Sequence, residues 1–376
     1  MARLGSTCLL AGACIFLFIT FFAFFDGLPS SRAVGGGSAI RPDIPEILHG
    51  AIPQSPAKAQ PPPVRVDDPP VKEEPKKEDK KKEDKKKPEE KKKPEVPKPT
   101  IRPTFVVGDV KHTPEGPKPS EIVLLAASDG KGHNGGIVGL LDMAKQNRRE
   151  YAELQGYKFE FINITKYDIG KAHPVWAKIP SIIDTFNMHP QAKWVWWLDL
   201  DAIIMTPSID LNSHLLSHEA MLSRLIKGGE IMAGGERHTG LYTDKDPKPE
   251  NIDLIVSQDH NGLNAGSFMI RRSEFSRWLL DMWYDPFFVD KDWPGKEQDA
   301  ILHMVLNHQI VRDHTGYVPQ RVLNAYSVGG DNMGWKTGDL VVHFAGCWVE
   351  NKCNERWKDF WSRRNKAADV KKTPAA

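Results

Sequence analysis

From residue 120 onward, short apolar runs alternate with longer stretches in which apolar residues recur every three or four positions. EIVLLAAS (121–128) is a continuous apolar run ending in small residues and Asp129-Gly130, the pattern of a central strand and its turn. GLLDMAKQNRREYAELQGY (139–157) has helical spacing, with Gly156 placed to end the helix. KFEFINI (158–164) alternates as a strand, the segment from Trp176 to Met188 reads as helix, and WVWWLDL (194–200) as the next strand. This β-α-β-α-β order predicts an α/β fold with a parallel sheet and crossover helices. Beyond it the pattern predicts a helix around 213–227, a short strand at 231–234 and a loop over 235–260. SFMIRR (267–272) reads as a strand, SEFSRWLLDMWYD as a helix capped by Ser273, EQDAILHMVLNH (297–308) as a helix, and LVVHFAG (340–346) as the last strand. There is no internal repeat.

The first 119 residues follow different rules. Residues 8–25 run 18 positions without a charge. That is longer than the roughly 7–15 residues of a cleavable signal core and close to the ~17–25 of a membrane-spanning helix. We expect a retained signal-anchor, with residues 1–7 cytoplasmic and the remainder facing a lumen. Residues 26–119 are rich in Gly, Pro, Lys and Glu, and 72–94 alone holds 12 Lys against 8 acidic residues. Such a stretch cannot bury enough apolar surface to offset ordering, so we expect a disordered stem. The interleaved acids argue against a nucleic-acid-binding tail.

Net charge at pH 7 is only +2, so the chain outside that block sums to −2. About 245 residues, 120–365, remain for one folded domain, followed by a disordered tail at 366–376. Of the four cysteines, Cys8 and Cys14 lie in the apolar segment. Cys347 and Cys353 could close a small disulfide loop or stay as two buried thiols. Asn163-Ile-Thr165 is an N-glycosylation sequon, usable only on a lumenal side.

The chemistry begins where WVWWLDLDAIIM (194–205) carries two carboxylates out of an apolar strand. Spacing of i, i+2 puts Asp199 and Asp201 on one side of extended backbone, at the carboxyl end where open α/β sheets bind ligands. Two hard oxygen ligands there suit Mg²⁺ or Mn²⁺ carrying a diphosphate. A lone Asp-x-Asp is more often a solvated turn, and His343, late in an apolar strand, is by itself more often a satisfied core residue. Acids at 297 and 299 likewise suit any helix N-terminus.

Together these pieces form a recognisable series. WWLDLDAIIM, SQDHNGLNAGSFMIRRSEFSRWLLDMWYDP, KEQDA, HTGYVPQR and VVHFAGC occur in the order found in the fungal galactosyl/mannosyltransferase family, glycosyltransferase family 34, which the chain resembles over about 120–350. The resemblance implies a GT-A-like mixed, mainly parallel sheet flanked by helices, in a single-pass type II Golgi membrane protein. It also implies retaining, metal-dependent transfer from a sugar nucleotide. Asp199 and Asp201 would be the metal-binding DxD pair, with Asp199 also near the ribose, and His343 the third ligand. Asn264, Ala265 and Gly266 would line the donor sugar, and Ala127, Ser128 and Asp129 would border the nucleotide. Gln298, flanked by Glu297 and Asp299, would stand near the anomeric carbon. Where the plant branch has a lysine after its GC, this chain has Trp348. The 257–286 stretch and KEQDA resemble most an α-1,6-mannosyltransferase subunit of the Golgi mannan polymerase complex. The expected donor is therefore GDP-mannose, the acceptor an α-mannosyl glycan, and the setting a hetero-oligomeric mannosyltransferase complex. An α-1,2-galactosyltransferase using UDP-galactose is the alternative. A non-catalytic scaffold subunit is the third reading, and the intact DLD, QD and HFAGC argue against it.

Overall fold

The computed structural model describes residues 102–131, 136–235 and 237–370. The expected anchor at 8–25 lies outside them, as do the stem up to residue 101 and residues 371–376. No helix among the described residues is long and apolar enough to cross a membrane.

The first half of the domain follows the sequence pattern. Strands β1 (Ile122–Ser128), β2 (Lys158–Asn163) and β3 (Trp194–Leu198) are joined by helices α1 (Leu140–Gln155) and α2 (Lys178–Met188). Gly156 ends α1 in the left-handed conformation at φ 77°, which a Cβ would disfavour. β4 (Ala202–Ile204) follows directly. The expected helix around 213–227 is interrupted: a π-helical turn at Asn212–Leu216 stops at Ser217, whose hydroxyl caps α3 (His218–Arg224) by accepting the Ala220 N–H.

The expected loop over 235–260 is a correction. After β5 (Glu230–Ala233) it contains β6 (Arg237–Tyr242) and β7 (Leu254–Asp259). β7 is short and buried between two neighbours, so its LIV core carries no alternation, and the Gly, Pro and charge around it masked the signal. β8 (Gly262–Arg271) starts five residues earlier than read, and all ten of its residues are buried. Then come α4 (Glu274–Trp283), α5 (Lys296–Asn307), β9 (Thr315–Val318), β10 (Ala325–Tyr326), β11 (Val341–His343) and α6 (Cys353–Arg363).

The main sheet has the order β2-β1-β3-β8-β7-β9. β1 pairs parallel with β2 and β3, and β7 parallel with β9, while β8 runs antiparallel to both its neighbours. It is thus mixed, with an antiparallel strand at the centre. Alternation along β3 sorts its side chains onto two faces. Val195 and Trp197 join Val123, Leu125, Phe268 and the α2 residues Ile179, Ile182 and Phe186, whereas Trp194, Trp196 and Leu198 join Tyr151 of α1 and Met269. Helices on both faces therefore bury the whole strand. A second sheet, β10-β11-β4, lies against a third cluster in which Phe344, Trp357 and Phe360 surround a Cys347–Cys353 disulfide.

The folded body begins before residue 120. Phe105 is 3% exposed and stacks on Phe186 at 4.6 Å, and Arg102 pairs with Asp285 at 2.5 Å and Asp281 at 3.0 Å, so 102–119 belongs to the domain rather than the stem. Arg272 makes the join. It donates to the carbonyls of Val106 (2.6 Å), Ala192 (2.7 Å), His189 (2.8 Å) and Phe186, with no carboxylate partner. Two of those carbonyls close α2, whose negative end suits a cation. Burial lowers the guanidinium pKa to about 10, so it stays charged at neutral pH. Replacing Arg272 by Met leaves several buried carbonyls unpartnered, at about 1–3 kcal/mol each. We expect a loss of at least about 3 kcal/mol in denaturant unfolding, and an unchanged midpoint would refute this brace.

Candidate active site

The two aspartates leave β3 at its carboxyl end, as the apolar pattern required. Asp199 keeps the face of Trp197, whose indole N–H donates to its Oδ1 at 2.6 Å. Its backbone N–H donates to Gly266 O at 2.8 Å, fixing the turn to β8. Asp201 is 7% exposed and immediately precedes β4. Antiparallel pairing of β4 with β11 sets Ala202 opposite His343, and Phe344 N–H donates to Asp201 O at 2.8 Å. That register brings His343 Nε2 to 3.5 Å from Asp201 Oδ1. Asp199, Asp201 and His343 each offer a ligand atom, and these atoms all lie within 4.8 Å of one another. Carboxylate oxygens with one imidazole nitrogen form a donor set that fits Mn²⁺ or Mg²⁺.

Gly266 makes room for this. A Cβ there would come within 2.2 Å of His343 Cε1, so only glycine lets the ring sit where it does. Burial disfavours the charged imidazole, but Asp201 and Asp199 outweigh it and raise the His343 pKa. Burial also pushes Asp201 up, but His343, a backbone hydrogen bond and Arg148 together more than reverse that, leaving its pKa lowered.

Two buried cations stand behind the aspartates, and neither was anticipated. Lys178, at the start of α2, places Nζ 2.7 Å from Glu297, 2.7 Å from Ala265 O and 3.5 Å from Asp199. Burial opposes its charge, but the two carboxylates raise its pKa overall. Arg148 of α1 donates to Asp199 O (2.5 Å), Ala202 O (3.0 Å) and Ala144 O (3.2 Å), and its Nε has no partner. Burial lowers its pKa to about 10, against the pull of both aspartates. One sequence signal existed. Each is a charge on an apolar helical face, Lys178 four residues before Ile182 and Arg148 between Ala144 and Ala152.

The other expected residues lie close by in altered roles. Glu297 is 4% exposed and tied to Lys178, and burial raises its pKa more than Lys178 lowers it. It braces the site rather than facing an open cleft. Asp299 turns back to accept the Gly295 N–H at 2.7 Å, as an acid at a helix start does. Gln298 is half-buried, and its Oε1 accepts the Ala265 N–H at 2.9 Å. Asn264, Ala265 and Gly266 are all buried, and their polar groups are spent internally. The Asn264 Oδ1 accepts from Gly266 N–H at 2.9 Å and Asn324 Nδ2 at 2.7 Å, while its Nδ2 donates to Tyr326 at 2.8 Å. They form a buried floor with no side-chain hydrogen bond left over for a ligand. Ala127, Ser128 and Asp129 end β1 beside β3, half-buried, with Ser128 and Asp129 accepting the N–H groups of Gly130 and Lys131 at 2.9 Å. Trp348 is 46% exposed on the disulfide loop.

This arrangement sits in a recognised frame. Residues 118–354 match the galactosyl transferase GMA12/MNN10 family, and the chain belongs to it. It is thereby one of the glycosyltransferases. A Schizosaccharomyces pombe protein named "Probable alpha-1,2-galactosyltransferase gmh1" is 43% identical over 249 residues, 65% of this chain and 74% of that one. Another S. pombe relative, "Uncharacterized alpha-1,2-galactosyltransferase C1289.13c", is 40% identical over 65% of this chain and 66% of its own length. The Saccharomyces cerevisiae "Probable alpha-1,6-mannosyltransferase MNN10" is 32% identical over 62% of this chain and 63% of its own length. Among solved structures, a glycosyltransferase that acts in glycosylation of the PBCV-1 major capsid aligns at TM-score 0.41 and 13% identity, over 64% of this chain and 98% of that one.

When the ring is protonated its Nε2–H faces Asp201 Oδ1, where a cation would bind, so binding must displace that proton. Manganese affinity should fall by about tenfold per pH unit below the raised His343 pKa. Calorimetric titration of Mn²⁺ across pH checks this, and a flat profile would remove His343 from the ligand set.

Proposed function

We propose that this chain transfers a hexose from a sugar nucleotide to an α-mannosyl glycan, holding the donor diphosphate through Mn²⁺ or Mg²⁺ in a GT-A-like site. The cluster of Asp199, Asp201 and His343 at the carboxyl end of β3 carries this reading. Bound there, the cation would offset negative charge that builds on the departing nucleotide diphosphate. The protein's own groups do the rest. Asp201 and His343 hold their ligand atoms in a buried pocket edge where competing water is scarce. Asp199, half-exposed, also reaches toward the ribose. Lys178 fixes Asp199 and Glu297 against each other, so neither carboxylate swings when substrate enters. With its oxygen committed to Ala265, Gln298 has only its amide N–H groups left to offer a sugar. Trp197 and Phe268, packed beneath, keep water from the floor.

Galactose from UDP-galactose is the favoured donor, because the relative named for galactosyl transfer shares 43% identity against 32% for the one named for mannosyl transfer. GDP-mannose is the second reading. A lumenal Golgi setting behind an anchor at 8–25 accords with the Cys347–Cys353 disulfide and with the sequon Asn163, which stands exposed at the end of β2. Assembly into a hetero-oligomeric mannosyltransferase complex belongs to the GDP-mannose reading.

The purified full chain should transfer galactose from UDP-galactose to α-mannosyl oligosaccharides with Mn²⁺, and stop on chelation. Asp201→Asn should lower kcat/KM by about 10²–10³-fold while leaving the fold intact. Transfer from GDP-mannose alone would move the assignment to the mannosyl branch, and silence with both donors would overturn it.

A further inference from the structure

We propose that Asn324 is a positioning residue that selects which ring nitrogen of His343 faces the metal. The proposal rests on the metal-site reading above and concerns a residue that no motif singled out. Asn324 is fully buried beside β10, and His343 is 4% exposed.

The assignment follows from two groups whose roles are fixed. A backbone N–H can only donate, and Gly266 N lies 2.9 Å from one terminal atom of Asn264, so that atom is the oxygen. Asn264 Nδ2 must then donate, and it meets Tyr326 Oη at 2.8 Å and Asp259 Oδ2 at 3.3 Å. At the far end the Tyr326 O–H donates to the Asp259 carboxylate, which leaves the phenol oxygen free to accept from Asn264. The chain is consistent from both directions.

Asn264 Oδ1 has room for a second donor, and Asn324 supplies it from Nδ2 at 2.7 Å. The Asn324 amide is thereby oriented, and its Oδ1 points at His343 Nδ1, 2.9 Å away. An oxygen acceptor at that place requires a proton on Nδ1. In the neutral imidazole the other nitrogen is then bare, and Nε2 is the one beside Asp201. The opposite tautomer would set a lone pair against the Asn324 oxygen and a hydrogen where the cation belongs. A glycine N–H on β8 thus decides, through two asparagines, the tautomer of a histidine on β11. Partners of this kind orient ligating histidines and tune the metal they hold.

Two measurements test it. In the metal-free full chain with ¹⁵N-labelled histidine, His343 signals are identified by their loss in His343→Gln. At a pH where the ring is neutral, the proton should reside on Nδ1, and a proton on Nε2 overturns the proposal. Manganese binding followed by electron paramagnetic resonance should weaken about 10–100-fold in Asn324→Ala. Asn324→Leu keeps the packing volume but offers Nδ1–H no acceptor and should weaken binding by the same ~10–100-fold, which a role in packing alone would not explain. Unchanged affinity in Asn324→Ala also overturns the proposal. A parent protein that bound no manganese would sink the metal-dependent reading instead, and the tautomer would still decide this one.

Discussion

Lys178 holds two carboxylates from different parts of the chain with one buried ammonium, and the rest of the site is built outward from that contact. Its Nζ reaches Glu297 at 2.7 Å, the Ala265 carbonyl at 2.7 Å and Asp199 at 3.5 Å, so α2, α5, β8 and the end of β3 meet at one atom. Burying the Lys178 and Glu297 charges is costly unless they compensate each other, and removing one partner of such a pair costs about 3–5 kcal/mol. The arrangement is consequently all or nothing. The same ammonium lies 5.0 Å from the Trp197 ring, so the aromatic strand is part of its solvation. This answers why a strand so apolar ends in acid: the carboxylates emerge against fixed cations, Lys178 on one face and Arg148 on the other.

That division of faces gives the aspartates different duties. Asp199 follows the Trp197 side and remains half-exposed, while Asp201 turns under β11 and is nearly sealed. A ligand atom open to solvent can meet a nucleotide as it arrives. A sealed one, backed by His343 and a hydrogen-bonded amide, keeps its geometry whether or not substrate is present. Preorganisation of this sort avoids spending substrate binding energy on rearrangement.

Much of this was legible along the chain, and the exceptions have physical causes. β1, α1, β2, α2 and β3 follow from periodicity because each presents a simple face to the core. The DLD pair was legible as charge that burial makes expensive, whereas His343 was singled out only through the family resemblance. β7 and β9 were not, since a four- to six-residue strand buried along nearly its whole length carries no alternation. The antiparallel course of β8 depends on pairing across distant sequence, which no local pattern encodes. Residues 102–119 look like stem by composition, yet they are fastened by single contacts, Phe105 on Phe186 and Arg272 on Val106, that composition averages away. Glu297 and Asp299 were placed near the chemistry by motif, but which way a side chain turns at a helix start is a tertiary matter. Asn324 and Tyr326 carried no signal at all, because a buried amide or phenol has meaning only through its neighbours.

The bridge between Cys347 and Cys353 closes a loop that begins four residues after His343, and Cys347 N–H is bonded back to Phe344 O at 3.1 Å. Phe344 in turn holds the Asp201 carbonyl. The frame of the proposed metal site is therefore finished only after two thiols have been oxidised, a step the cytosol does not favour. A newly made chain would carry every ligand and still lack the clasp until it reached an oxidising compartment. In the lumenal setting proposed above, maturation of the candidate site would thus be timed by where the chain has travelled.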